Sequence, residues 1–226
     1  MKAVTGWWFS AGKVLPHGDN RKIRLGITHH VDGDIVLCQH GLHLSVRPLD
    51  ALKYATSPII WRVRGSGVIV AGSDKCACSD RTYLAGGIDV TDVLRKFARL
   101  CVLDVIHLWK APDVVVKYLR TGDENLRAAT SVLAGAAGAA GAAAFAAFWD
   151  ATGDATGTVT RAAGYAGAAG AAFAAAGDAA FDAAFAAAFA AAGAAGYASR
   201  AAAGTKQNSR LNRMLLHAIR GARHRR

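Results

Sequence analysis

The absences in this chain are unevenly placed, and each one narrows what it can be. Residues 205–226 contain no acidic side chain, and residues 128–204 hold only four Asp and two Arg. No G-x-x-x-x-G-K-[ST] loop and no G-x-S-x-G elbow occurs, so neither a phosphate cradle nor a serine nucleophile is signalled. The glycines at 135, 138 and 141 are low-complexity spacing and not a nucleotide loop. The opening stretch MKAVTGWWFSAGK lacks the continuous apolar core of a secretory leader, which predicts a cytoplasmic chain with reduced thiols.

Paired C-x2–4-C knuckles are also missing. Cysteine occurs at 38, 76, 78 and 101, with one C-x-C step and scattered histidines. A zinc site would have to draw on Cys38, His40 or His43, Cys76 and Cys78, but strong sites show two matched ligand pairs. No metal and no cofactor is therefore expected. The uncharged run Ala128–Trp149 is long enough to span a bilayer, yet it is mostly Ala and Gly and lacks Leu/Ile/Val density. No transmembrane segment is expected.

What is present falls into three parts. Residues 1–127 carry eighteen Lys/Arg against twelve Asp/Glu in a mixed composition. Residues 128–204 form an Ala/Gly-rich region, and residues 205–226 a basic tail with seven Lys/Arg. The first part reads as an α+β domain, short strands first and helices after, large enough for a core. DIVLC and GLHLS are expected strands joined by a tight Gln39–His40–Gly41 link. In GLHLS the period of two places Leu42 and Leu44 on one face and His43 and Ser45 on the other. Ser45 is expected to cap a following helix, SVRPLDALKYA, with Pro48 in its first turn and Asp50 and Tyr54 sharing an exposed face. SPIIWRVRGSGVIVAG reads as a β-hairpin and the cysteine pair as a loop. Helices follow in VTDVLRKFARLCVL and in APDVVVKYLRTG, the latter stopped by Gly122.

The low-complexity region has a register of four. Cut from Phe145, every aromatic but Phe148 takes the first place and Asp150, Asp154, Asp178 and Asp182 the second. The third place is always small, with Val159 the largest occupant. High Ala content predicts helix; the Gly- and Thr-rich stretch WDATGDATGTVTRAAG leaves a β-solenoid as the alternative. The tail, NSRLNRMLLHAIRGARHRR, reads as a capped amphipathic helix with Leu211, Met214, Leu215 and Ile219 apolar. Its cations, Lys206, Arg210, Arg213, Arg220, Arg223, Arg225 and Arg226, are expected to bind polyanions, nucleic acid or an anionic surface, without sequence preference. Removing residues 205–226 is expected to leave the first domain folded.

The string C-x-x-G-L-H-x-S-x-x-P-x-D-A-L-x-Y-A, from Cys38 to Ala55, resembles the signature of an uncharacterised domain family of tailed phages and prophages. Asp74–Lys75, RTYL from Arg81, LRKFAR from Leu94, HLW from His107 and YLRTGDENLRAA from Tyr118 resemble it too. The resemblance implies a phage-type accessory protein in the host cytoplasm, with no assigned activity. A second resemblance is to bacterial ADP-ribosyltransferase toxins. Gly41–Ser45 and Ala51–Ala55 are similar to their strand and helix around nicotinamide, which implies His43, Ser45 and Tyr54 lining a pocket for NAD. The catalytic Glu of a late strand has no counterpart, since Glu124 sits at a helix start.

The expected function is thus non-enzymatic. The chain would bind a host macromolecule, or a second copy through Ala/Gly faces, using the repeat and the tail. The alternatives are an NAD-using transferase, with His43, Ser45, Asp50 and Tyr54 as its candidate pocket, and a non-specific nucleic-acid-binding protein.

Overall fold

A computed structural model describes residues 3–16, 19–151, 168, 172, 175–176 and 200–224. Most of the four-residue register, including all its aspartates but Asp150, lies outside the described residues, as do Arg225 and Arg226. The chain divides into two compact units, residues 1–91 with 210–226, and residues 92–209. These limits fall elsewhere than the expected boundaries at 127 and 204.

The first unit is built on an antiparallel sheet, so the α+β reading holds. Its strands are β1 (Val4–Ser10), β2 (Thr28–His30), β3 (Leu42–Leu44), β4 (Ile59–Ala71) and β5 (Cys76–Asp89), with a one-turn helix α1 (Pro48–Leu52) between β3 and β4. The spatial order is β1-β4-β5-β2, and β3 also pairs with β5. Leu42, Leu44, Trp61, Val63 and Tyr83 supply buried side chains of one core cluster, with Trp8 packed partly against it.

Four expectations are corrected here. DIVLC is not a strand: Val36 and His40 form an isolated bridge around a turn, and Cys38 adopts a left-handed φ of 69°. SPIIWRVRGSGVIVAG is not itself a hairpin but a single strand through Gly65–Ser66–Gly67. Those residues lie inside β4, where the register with β5 slips between Ser66 and Ile69. Gly67, at φ 72°, supplies the left-handed conformation that such a bulge uses. The connection lies after Gly72, whose N–H is bonded to the Lys75 carbonyl. The cysteine pair is therefore strand, not loop: Cys76 and Cys78 open β5, opposite Leu44 and Leu42 of β3. Ser45 is no cap either, because the residue before α1 is Arg47 and it makes no side-chain cap bond.

In the second unit α2 (Thr91–Val105) buries Leu94, Phe97, Cys101 and Val105 at helical spacing. Its start is supported by Asp89 Oδ1, which accepts the Thr91 N–H at 2.7 Å. Helix α3 (Asp113–Thr121) follows Pro112 and ends at Gly122, at φ 71°, the left-handed stop expected there. Tyr118 is buried and donates to the Ala175 carbonyl. Helix α4 (Arg127–Ala151) carries the first part of the Ala/Gly-rich region.

The last described element, α5 (Arg200–Arg223), is longer than the expected tail helix. It has no cap at Asn208, whose amide donates back to the Gly204 carbonyl within the helix. Leu211, Leu215 and Ile219 are buried. Asn212 Oδ1 accepts the indole N–H of Trp7 at 3.2 Å, and Arg223 donates to the Leu84 carbonyl at 3.0 Å. Residues 210–226 thus group with the first unit, and the apolar stripe of the helix is withdrawn from water. Among the described residues no helix is long and apolar enough to cross a membrane.

Candidate functional site

The first unit carries a partly open cavity of about 740 Å³. It is lined by Trp7, Trp8 and Phe9 of β1, by the Cys38–Ser45 segment, by Ala51 and Tyr54, and by Lys75 and Arg81 of the β4–β5 hairpin. Strand β3 reaches this wall because Ser45 and Trp7 exchange both backbone hydrogen bonds, at 2.7 and 3.0 Å. Gly6 permits that approach. A Cβ there would lie 2.4 Å from the Ser45 carbonyl oxygen.

Three of the four expected pocket residues meet here. His43, Ser45 and Tyr54 line the cavity; Asp50 does not. Ser45 is buried, contrary to a solvated strand face. His43 Nε2 accepts the Cys38 N–H at 3.1 Å, and burial pushes its pKa down, helped by the charges of Lys75 and Arg81. It is neutral at neutral pH.

The expected Asp50–Tyr54 pair is not formed. Asp50 is buried and held by Arg47 and Lys53, while α1 ends at Leu52, so Tyr54 leaves the helical face. Its hydroxyl instead donates to Asp74 at 2.9 Å, and that bond chiefly lowers the Asp74 pKa. Lys75 Nζ lies 3.9 Å from the centre of the Tyr54 ring. The ring is clamped between an acid at its hydroxyl and a cation at its face.

The residue that sequence reasoning missed is Arg81. It is 2% exposed, and its guanidinium sits 3.8 Å from the centre of the Trp8 ring. It donates to the His43 carbonyl at 2.6 Å and to the Tyr83 hydroxyl at 2.9 Å. Tyr83 OH meets His29 Nδ1 at 3.0 Å, and His29 Nε2 meets the Lys22 carbonyl at 3.2 Å. One proton arrangement satisfies this chain: Tyr83 accepts from Arg81 and donates to a His29 protonated on Nε2. Burial pushes the Arg81 and His29 pKa values down and the Tyr83 pKa up. The available signal was alternation: Ser79, Arg81 and Tyr83 share one face of a strand. Reading CACSD as a loop hid it.

The residues on which a zinc site would have to draw, Cys38, His40, His43, Cys76 and Cys78, do not converge. Among the described residues no group of three or more His, Cys, Asp or Glu side chains is placed to hold an ion. Cys38 is exposed, while Cys76 and Cys78 are buried and Cys78 donates to the Leu42 carbonyl. His40 Nε2 is instead bonded to the Asp32 carbonyl. Burial pushes the Cys78 thiol up to about 11.

Of the expected polyanion contacts, Arg213 and Arg220 are exposed, Arg210 is half-buried, Lys206 pairs with Asp104 at 3.2 Å, and Arg223 holds the Leu84 carbonyl.

Residues 21–96 match the model of a family described as a domain of unknown function, DUF7666. The matched segment contains His43, Ser45, Tyr54 and Arg81, whereas Trp7 and Trp8 lie outside it. No curated protein and no solved structure matches the chain.

Proposed function

We propose that the first unit is a binding module that takes a small molecule with a flat ring into its cavity. In this reading the chain is a phage-type accessory protein that acts by binding and not by catalysis. The observation that carries the proposal is the lining itself. Trp7, Trp8 and Tyr54 bring aromatic surface to a cavity of about 740 Å³ that also holds His43, Ser45 and Arg81. Apolar walls with a few convergent polar groups are what small-molecule sites have in common.

The chemistry of the lining favours binding over turnover. Asp19 is the one carboxylate among the lining residues, and Arg21 holds both its oxygens, at 2.6 and 2.7 Å. His43 already accepts a backbone N–H, so it is poorly placed to take a proton from substrate. A thermal-shift screen with NAD, mononucleotides, nucleic acids and divalent metals tests the reading. Stabilisation by a mononucleotide or NAD that is lost in Tyr54→Ala supports it. A screen in which only nucleic acid or a metal stabilises the chain sinks it.

A transferase is the second reading. Its supporting observation is that His43, Ser45 and Tyr54 line one cavity, as the toxin-like outline requires. Release of nicotinamide from NAD by the full chain would promote it. No release, with NAD still bound, would leave the binding module. Separately, the exposed cations of α5 support polyanion binding as an additional role, and the Ala/Gly-rich region supports self-association.

A further inference from the structure

A buried cation normally has a buried anion beside it, and Arg81 has none among the described residues. Its two bonded partners, the His43 carbonyl and the Tyr83 hydroxyl, are neutral acceptors. Its Nε is buried and makes no hydrogen bond. The nearby acids are committed elsewhere: Asp80 to His30 and Ser79, Asp19 to Arg21. Taking a charged side chain from water costs several kcal/mol unless an opposite charge and full hydrogen bonding offset it. Here both offsets are incomplete, on a residue that lines the cavity.

We infer that Arg81 anchors the oxyanion of a small ligand, a carboxylate or a phosphate, held in the cavity beside the Trp8 face. The inference rests on the proposed binding role of the cavity and adds the charge of the ligand to it. The fork of a guanidinium matches a two-oxygen anion, and two of its arms are already fixed by the protein. Preorganisation of this kind spares the ligand the cost of ordering a long side chain. The Trp8 ring, its centre 3.8 Å from the guanidinium carbon, adds a cation–π contact that holds the group in place. Lys75, at the same cavity, adds a second positive charge on the Tyr54 side. The site therefore selects for anions bearing a planar group and against their neutral analogues.

The test uses the full chain and two matched pairs of probes in isothermal titration calorimetry. AMP against adenosine reports a phosphate, and nicotinate against nicotinamide reports a carboxylate. The expected result is that in at least one pair the anion binds about tenfold tighter or more, as a charge-assisted bond allows. Arg81→Gln, which removes the charge, should shrink that difference to about threefold or less. Should the variant not fold, inorganic phosphate added to the unaltered chain should weaken the anion and spare the neutral probe. Equal affinity within both pairs, or indifference to phosphate, overturns the anchor and leaves the binding cavity standing. No binding by any of the four probes overturns both.

Discussion

Trp7 and Ser45 exchange both backbone hydrogen bonds, and this single bridge ties β1 to the segment that leads from β3 into α1. It explains why Ser45 is buried and why it does not cap a helix: its backbone is committed to a strand-like pairing. It also places Trp7 and His43 on the same cavity. This part of the cavity wall therefore joins two segments nearly forty residues apart in sequence.

The bridge depends on Gly6. In Gly6→Ala the new methyl would meet the Ser45 carbonyl oxygen at 2.4 Å and Leu44 Cδ1 at 2.6 Å. Backbone cannot yield as a flexible side chain does, so the pairing should open. Chemical denaturation should show a loss of about 1–3 kcal/mol, in the range of overpacked sites. Unchanged stability would mean the two segments separate freely.

Helix α5 is expected to be required by the first unit. Leu211 and Leu215 are fully buried, so Leu211→Ala or Leu215→Ala should each cost about 2–5 kcal/mol in urea denaturation. Deleting residues 205–226 should expose Trp7 as well, detectable as a red shift in tryptophan emission. A truncated chain as stable as the intact one would contradict the docking of α5.

Stability should fall on mild acidification. Burial is the main cause holding the His29 and His43 pKa values below the ordinary 6.5. As pH drops below that value the unfolded chain takes up these protons before the folded one does. Stability is therefore full above about pH 6.5 and lost as pH falls through the depressed values. Protonating His29 also removes the acceptor for Tyr83. His30 acts with the opposite sign, because Asp80 chiefly and Asp32 raise its pKa, but it is exposed and screened. The melting temperature should be lower near pH 5.5 than near pH 7.5, with a steeper fall in His30→Gln. A flat or inverted profile would count against the buried neutral histidines.

The four thiols should differ sharply in reactivity. Cys38 is exposed, and the other three are buried, with burial raising the pKa values of Cys76 and Cys78. Since the thiolate is the reactive form, a thiol reagent should modify one cysteine in the native chain and four after unfolding. Cys38→Ser should abolish the native reaction. Rapid labelling at Cys78 would refute the pairing of β3 with β5.

Duplex DNA binding, if carried by α5, should be salt-dependent and indifferent to sequence. Arg213 and Arg220 are exposed cations of α5, so replacing both by Gln should reduce the log–log salt slope by about 2. An unchanged slope would remove α5 from the interface.

The sequence by itself determined the elements whose cause is local. Helices α2 and α3 follow from apolar spacing, an acid at the first turn and Gly122 at the stop, all within a few residues of one another. The pairing of Leu42 with Leu44 on the buried face of β3 is likewise a short-range alternation, and His43 and Tyr54 stood out in a compact motif. Tertiary structure alone decided which of these residues share a cavity. Gly65–Ser66–Gly67 has the chemistry of a turn but becomes a bulge, because long-range pairing of β4 with β5 outweighs local preference. The same pairing turns the cysteine segment into strand and carries Arg81 into the core. The burial that leaves its guanidinium short of an anion is created by contacts across the sheet, and no local pattern encodes it.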